Sequence, residues 1–217
     1  MPKNIDYWER VLQSPTSSYR ELFEGERNYL LEHIQGELDV LDVGCGEGRN
    51  IRTILERTQH VVGVDNDEKA VADAQGYFLN IPTVKVFNAN AAKLPFADQS
   101  FDVVTFLMIL PNLDKSKDAV MDEIARVLKN SGKVILSTFS DDAFDERMKI
   151  YKQVGVPISR IEGTTFIFDK SLGANISEQF SKEQIEALAH RAGFKMTDIQ
   201  KVDSIAYICT LEKESKA

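Results

Sequence analysis

The 217-residue chain has only two cysteines, Cys45 and Cys209, and neither stands in a Cys-x-x-Cys motif or a Cys/His cluster. This spacing provides neither a zinc site nor a disulfide framework, so we expect two reduced thiols and no metal. A chain of this length can bury an apolar core without such cross-links. Long hydrophobic runs are also missing, because no stretch approaches the roughly 18 apolar residues that a membrane helix needs.

The chain also lacks an excess of basic residues. The formal net charge is -8 at pH 7, whereas nucleic-acid binding draws much of its affinity from basic side chains that neutralise phosphates. This balance favours a small-molecule or protein substrate over a nucleic acid. The first residues lack the basic head and apolar run of a signal peptide, so we expect a cytoplasmic location and no membrane partner.

What the chain does have is a regular alternation of strand-like and helix-like segments. Five apolar runs predict strands, at residues 39–43, 60–65, 84–87, 101–107 and 133–139. Helical patterns at 49–57, 68–78 and 117–128 lie between them. Such alternation predicts βαβ units and a doubly wound, Rossmann-like α/β sheet.

The alternation does not extend to the ends of the chain. Two helices, at about 5–12 and 19–34, precede the first strand. After residue 140 we predict a helix at 142–154, a Gly-Val-Pro turn, a strand pair at 164–168 and 174–180, a helix capped by Ser181, and closing strands at 196–202 and 205–212. We therefore predict one domain in four parts: an N-terminal helical cap (1–36), a ligand-binding core (37–140), a lid-like insertion (141–180) and a C-terminal helix with a strand pair (181–217).

The most specific motif is a glycine-rich loop between the first strand and its helix, Val40-Leu41-Asp42-Val43-Gly44-Cys45-Gly46-Glu47-Gly48. Loops of this kind bind ligands at the carboxyl edge of a parallel sheet. The dinucleotide fingerprint G-x-G-x-x-G would need glycine where this chain has Arg49. Carboxylates at Asp42 and Glu47 would also oppose the pyrophosphate of NAD. They suit a ligand that carries an ammonium group, such as S-adenosylmethionine.

Asp65 ends the second strand, where an acid can accept hydrogen bonds from both hydroxyls of a ribose. The alternative is that Asp65 caps the helix that follows. Asp67 could take that role and leave Asp65 available for a ligand.

Four blocks, in order, resemble the class I S-adenosylmethionine-dependent methyltransferase superfamily, specifically its methyltransferase type 11 members. They are LDVGCGEG at 41–48, GVD at 63–65, AAKLPF at 91–96 with SFDVV at 100–104, and RVLKNSG at 126–132. The resemblance covers roughly residues 38–139, with a weaker echo at 181–212. It implies seven strands in the order 3-2-1-4-5-7-6, with strand 7 antiparallel and helices on both faces.

The resemblance also implies how the donor would be held. Asp42 would help to hold its ammonium group, and the Gly44-Cys45-Gly46 stretch would line its methionine part. Asp65 would bind the ribose, with Asn66 beside the adenine.

Two further pairs of residues complete the implied donor site. Asn90 stands where the family usually has Asp, and its carbonyl could still accept a bond from the adenine amino group. The backbone N–H of Ala91 would meet an adenine ring nitrogen. Phe106 and Leu107, at the end of the fourth strand, would border the sulfonium.

The sequence assigns no catalytic base. Many relatives follow the fourth strand with a His-His-Leu-like element, and this chain has Pro111-Asn112-Leu113 there. None of the three histidines (His33, His60 and His190) lies at the carboxyl end of a predicted strand.

The acceptor side is predicted only by position, because the N-terminal helices and the insertion should fold over the carboxyl edge. Its candidate residues are Tyr7, Trp8, Tyr19, Arg27, Tyr151 and Arg160. Such side chains would suit a small acceptor with an aromatic or anionic part. We therefore predict in-line methyl transfer to a nitrogen or oxygen of a small molecule. The alternatives are a protein or RNA methyltransferase and a non-catalytic S-adenosylmethionine-binding protein.

Overall fold

The computed structural model describes residues 7–169 and 176–214, and of residues 7–9 the backbone alone. The helices are α1 (Tyr7–Gln13), α2 (Ser17–His33), α3 (Arg49–Ile54), α4 (Glu68–Tyr77), α5 (Lys117–Val127), α6 (Phe144–Val154) and α7 (Lys182–Arg191). The strands are β1 (Val40–Val43), β2 (Val61–Asp65), β3 (Val84–Asn88), β4 (Phe101–Leu107), β5 (Leu128–Phe139), β6 (Ile158–Glu162), β7 (Thr165–Phe168), β8 (Ile176–Ser177), β9 (Phe194–Val202) and β10 (Ala206–Lys213).

Seven of these strands form one sheet in the order β3-β2-β1-β4-β5-β10-β9. β1 pairs in parallel with β2 and β4, whereas β10 is antiparallel to β5 and β9. Counting only the strands of this sheet, the order is 3-2-1-4-5-7-6. The predicted fold class, strand order and antiparallel last strand are therefore confirmed.

Helices cover both faces of the sheet because the central strands are apolar on both sides. In β5, Ile135 belongs to the apolar cluster that contains Leu22 of α2 and Val71 of α4. Its neighbour Leu136 belongs to the opposite cluster, with Ile124 of α5 and Ile185 of α7. All four residues of β1 are buried, including Asp42. The carboxyl edge of the sheet, where β1, β2, β4 and β5 end, is therefore built on a rigid core.

The predicted start of the fifth strand was wrong. The strand was expected to begin at residue 133, but β5 already begins at Leu128. The extra length is absorbed by an irregularity in the pairing of β4 with β5, where the backbone packs so tightly that a Cβ at Gly132 would lie 2.7 Å from the carbonyl oxygen of Asp102. Gly132 therefore allows two backbone segments to approach closely, and it does not form a turn.

The insertion was expected to contain a strand pair, and it forms a three-stranded antiparallel sheet, β6-β7-β8. The strand that was missed, β6, is largely exposed and carries charged residues such as Arg160, so its sequence lacks an apolar run. Of the strand predicted at 174–180, only Ile176–Ser177 is a strand, and residues 174–175 lie outside the described part of the chain.

Local capping follows the sequence closely. Ser181 and Gln184 form the predicted capping box at the start of α7.

Within residues 7–169 and 176–214, no helix is long and apolar enough to span a lipid bilayer.

Candidate functional site

The glycine loop after β1 adopts backbone angles that other residues rarely take. Gly44, Gly46 and Gly48 have φ of +76°, +52° and +83°. A Cβ at Gly44 would lie 2.2 Å from Cδ1 of Ile109, whereas a Cβ at Gly46 would have no heavy atom within 4 Å. The loop is therefore closed on the side of Ile109 and has open space at Gly46.

Asp42 lies at the start of this loop and is completely buried. Its Oδ1 accepts a 2.6 Å hydrogen bond from the hydroxyl of Thr105, but its Oδ2 has no hydrogen-bond partner among the described residues. Burial raises the pKa of this carboxyl to about 7, against the opposing influence of the Arg49 guanidinium. A buried oxygen without a partner is costly. A cationic group of a ligand would remove that cost.

Asp65, at the end of β2, turns toward the same loop. Its Oδ2 accepts the N–H of Gly46 at 2.8 Å and its Oδ1 accepts the N–H of Asp67 at 2.9 Å. Asp67 caps α4, with its side chain accepting two helical N–H groups. The helix-cap alternative for Asp65 is therefore wrong. Asn66 lies beside it and is exposed.

The other donor-side residues have distinct surroundings. Asn90 is exposed, and its Oδ1 already accepts the N–H of Ala92 at 2.9 Å, so an adenine amino group would share that oxygen. Ala91 is partly buried. Phe106 and Leu107 are both buried, on opposite faces of the sheet. Their contact with a sulfonium stays a prediction.

Cys45, within the loop, is buried, and burial raises the pKa of its thiol well above the usual range. It is therefore a neutral packing residue rather than a thiolate nucleophile.

Sequence reasoning missed Glu26 of α2. This side chain is 1% exposed, accepts a 2.6 Å bond from Arg49, and accepts another 2.6 Å bond from the hydroxyl of Ser137. The signal was present, because Glu26 falls on the buried stripe of α2 together with Tyr19 and Leu22. A charged residue on an apolar helical face indicates a specific partner.

Two of the predicted acceptor residues are packing residues in this arrangement. Tyr19 is completely buried, edge-on to Phe23 and Phe139. Tyr151 is 2% exposed, and its hydroxyl bonds to Ser177 at 2.9 Å. The side chains of Tyr7 and Trp8, which were also predicted to contact the acceptor, lie outside the described residues.

The structure does not bring the two predicted arginines to the site. Arg27 forms an exposed ion pair with Glu56, beyond the end of α3. Arg160 forms an exposed ion pair with Glu162 in β6. A different arginine, Arg147, is completely buried in the insertion, with its guanidinium carbon 4.8 Å from the ring centre of Phe139.

The N-terminal helices and the insertion meet each other, as the lid prediction requires. The Ser18 hydroxyl donates to Glu146 of α6 at 2.7 Å, and Gln153 donates to the carbonyl of Ser14 at 2.7 Å. Beyond β8, the N–H of Glu178 donates to the carbonyl of Pro111, which follows β4, at 2.9 Å. Both segments therefore lie beside the ends of β4 and β5.

Comparison with known proteins gives a match over residues 40–132 to a family described as a methyltransferase domain. A probable S-adenosylmethionine-dependent methyltransferase of Mycobacterium tuberculosis is 41% identical over 101 residues, which cover 46% of this chain and 35% of the relative. The chain thus spans about a third of the length of that curated relative.

Two solved structures are similar over nearly the whole chain. The PH0226 protein of Pyrococcus horikoshii has a TM-score of 0.72 at 26% identity, with 92% of this chain and 93% of that one covered. A Burkholderia thailandensis 1,6-didemethyltoxoflavin-N1-methyltransferase, solved with 1,6-didemethyltoxoflavin and S-adenosylhomocysteine, has a TM-score of 0.72 at 17% identity and covers 95% and 82%. At that identity the second likeness concerns the fold alone.

Proposed function

Because the chain belongs to the class I S-adenosylmethionine-dependent methyltransferase superfamily, we propose that it transfers a methyl group to a small-molecule acceptor. The observation that carries the proposal is the buried carboxylate of Asp42, whose Oδ2 has no partner in the described chain. It lies beside a glycine loop with open space at Gly46. A carboxylate there suits the ammonium of a methyl donor and opposes a pyrophosphate.

S-adenosylmethionine is the cofactor, as the sequence predicted, and its product is S-adenosylhomocysteine. Asp42 would hold the amino group and the Gly44–Gly46 loop would line the methionine part. Asp65 would bind the ribose, because its two oxygens are already oriented by the N–H groups of Gly46 and Asp67. Asn66, Asn90 and Ala91 would surround the adenine, and Phe106 and Leu107 would border the sulfonium.

The cofactor supplies a methyl group on a sulfonium that is already activated toward displacement. The protein then has to position the acceptor in line and keep water out. Correct positioning alone can contribute on the order of 7–11 kcal/mol. The buried ends of β4 and β5, covered by α2 and the insertion, would provide the dry surroundings that suit loss of charge at sulfur.

The acceptor is proposed to be a metabolite methylated on nitrogen or oxygen. Contacts between the N-terminal helices and the insertion support this, since together they would enclose a small cavity. A base is needed only for an acceptor that arrives protonated. Among the described residues, each histidine lies near a carboxylate away from the carboxyl ends of β1, β2, β4 and β5: His33 near Asp198, His60 near Asp39 and His190 near Glu214. The proposed step therefore uses no histidine.

The test has two stages. Calorimetric titration should show binding of S-adenosylmethionine and S-adenosylhomocysteine and no binding of NAD. Incubation with methyl-labelled donor and a small-metabolite extract should then place label in a small molecule. Label in protein or RNA instead would replace the acceptor class, and donor binding with no transfer to any extract would favour a non-catalytic protein. Binding of NAD alone would overturn the proposal.

A further inference from the structure

One chain of contacts links α2 to the donor loop, and Glu26 is at its centre. The Ser137 hydroxyl donates to Oε1 of Glu26 at 2.6 Å. The same hydroxyl oxygen accepts the backbone N–H of Met108 at 3.0 Å. Met108 follows β4 and has a φ of +57°, a region that residues with a side chain seldom occupy. The same N–H also donates to the backbone carbonyl of Ser137 at 3.1 Å. The Ser137 carbonyl and the Ser137 hydroxyl, which is oriented by Glu26, therefore hold an unusual turn in place together.

That turn contacts the donor loop directly. The residue after Met108 is Ile109, and its side chain fills the space that a Cβ at Gly44 would need. A shift of the turn would open or close the loop on which the donor is expected to lie. The position of the Gly44–Gly46 loop thus depends on Ser137, which in turn is oriented by Glu26.

The second carboxylate oxygen of Glu26 contacts the helix that follows the glycine loop. Oε2 of Glu26 accepts a bond from Arg49, the first residue of α3, and the Arg49 guanidinium also lies 4.7 Å from the ring centre of Phe23 in α2. The pair is mostly buried, with 28% of the Arg49 side chain and 1% of the Glu26 side chain exposed. Removing one member of such a pair leaves the other uncompensated.

We propose that Glu26 is a positioning residue for the methyl donor, acting through Ser137 on the turn after β4 and through Arg49 on the glycine loop. This inference rests on the proposed function and adds a role that no motif of the donor site contains. It also joins the two halves of the site, because Ser18, on the same helix α2, bonds to Glu146 of the insertion. Helix α2 therefore connects the proposed lid with the donor loop.

The charge of Glu26 provides a readout that a purely structural role would not change. The charged groups that influence Asp42 are Arg49 of α3, which lowers its pKa, and Asp65 of β2 and Glu26 of α2, which raise it. In Glu26→Gln, the negative charge is lost and Arg49 is no longer neutralised. Both changes lower the pKa of Asp42, so the pH midpoint of donor binding should move to lower pH.

The experiment is titration of S-adenosylhomocysteine into wild type, Glu26→Gln, Ser137→Ala and the control Glu24→Gln. Glu24 is an exposed residue of the same helix, so its variant carries the same charge change. We expect affinity to fall about tenfold or more in Glu26→Gln and about fivefold in Ser137→Ala, with Glu24→Gln within about twofold of wild type. In the double variant Glu26→Gln/Ser137→Ala, the loss of binding free energy should be smaller than the sum of the losses in the two single variants, because both residues act through Met108.

The pH midpoint should fall in Glu26→Gln and stay unchanged in Ser137→Ala, which keeps every charge. Wild-type affinity in both variants, with only a lower melting temperature, would overturn the inference while leaving the proposed function intact. If Glu26→Gln does not fold, Ser137→Ala alone decides, and unchanged affinity there overturns the inference. Failure of the wild type to bind the ligand would instead reject the proposed function.

Discussion

The proposed site has a donor half, formed by the glycine loop and the ends of β1 and β2, and an acceptor half, formed by the N-terminal helices and the insertion. Each half contains one completely buried ionisable residue, and the two residues differ in their hydrogen-bond partners. Asp42, in the donor half, has one oxygen bonded to Thr105 and the other without a partner in the described chain. Arg147, in the acceptor half, donates four hydrogen bonds from its two terminal nitrogens to neutral groups of Thr164, Ser177 and Gln179, and only its Nε is without a partner in the described chain. One group is left ready for a ligand, whereas the other holds the insertion together.

This difference indicates where each half draws its stability. The donor loop is kept in place by the sheet and leaves polar groups for a ligand, as binding sites commonly do. The insertion has a small sheet of its own, and its buried arginine satisfies the backbone and side chains around it. We therefore expect substitutions in the donor half to change ligand affinity, and substitutions in the insertion to change stability first.

The largest expected effect is that of Gly44→Ala. A methyl group at this position would meet Ile109 at 2.2 Å while the backbone keeps a φ of +76°. We expect affinity for S-adenosylhomocysteine to fall by about 100-fold, which corresponds to roughly 3 kcal/mol. Gly36→Ala is the matched control, because Gly36 has a φ of +88° and a Cβ there would have no heavy atom within 4 Å. Equal losses of affinity in both variants would assign the effect to backbone strain alone.

Arg147→Met should lower the stability of the protein and leave its donor affinity unchanged. The change removes the donor from acceptors at Thr164 and Gln179, which are partly buried, and at Ser177, which is buried. We expect the free energy of unfolding to fall by about 3 kcal/mol, measured by denaturant titration. Affinity for S-adenosylhomocysteine should stay within about twofold of wild type in the folded protein. The control is Lys149→Met on the exposed side of the same helix. A large loss of donor affinity in Arg147→Met would contradict the division between the two halves.

Asp65→Ala should reduce donor affinity by about tenfold or more, since hydrogen bonds to a charged group each contribute roughly 1.5–3 kcal/mol. The neighbouring Asp67→Ala removes the cap of α4 and should cost about 1 kcal/mol of stability with little change in affinity. Calorimetry and thermal melting of both variants separate the two roles. An unchanged dissociation constant in Asp65→Ala would show that its carboxylate only orders the Gly46 loop.

The smallest effect is expected at the two exposed arginines that sequence reasoning placed at the acceptor. Arg27→Ala and Arg160→Ala each remove a solvent-exposed ion pair, so stability should change by less than about 1 kcal/mol. Turnover, measured with labelled donor and the acceptor found in the extract, should also stay unchanged. Lost turnover at normal donor affinity in either variant would restore the original prediction for that residue.

Sequence reasoning predicted the donor half of the site better than the acceptor half. The strand order was predictable through the resemblance to the methyltransferase superfamily. The donor loop was predictable because Gly44, Gly46 and the acids Asp42 and Asp65 each meet a local requirement that is visible in the sequence. Helix capping by Ser181 and Asp67 was visible for the same reason. These features depend on residues close together in the chain.

The insertion and the acceptor side depend on contacts between distant residues. β6 has no apolar run because it is largely exposed, so it was missed. Arg147 and Glu26 resemble surface residues in the sequence, and only the packing of α6 and α2 buries them. Tyr19 and Tyr151 were chosen for their position in the N-terminal helices and the insertion, where a tyrosine can equally be a packing residue or a ligand-binding residue.

The most direct measurement is the pH dependence of S-adenosylhomocysteine binding in wild type and Asp42→Asn. In the free protein the Asp42 carboxyl, with its pKa raised to about 7, is protonated below that pH. A bound ammonium group would lower this pKa, so binding should release a proton and strengthen as pH rises toward 7, by up to about tenfold per pH unit. Calorimetry in two buffers of different ionisation enthalpy detects that proton. The account predicts proton release in wild type and its loss, with weaker binding, in Asp42→Asn; equal affinity and equal proton release in both proteins would contradict it.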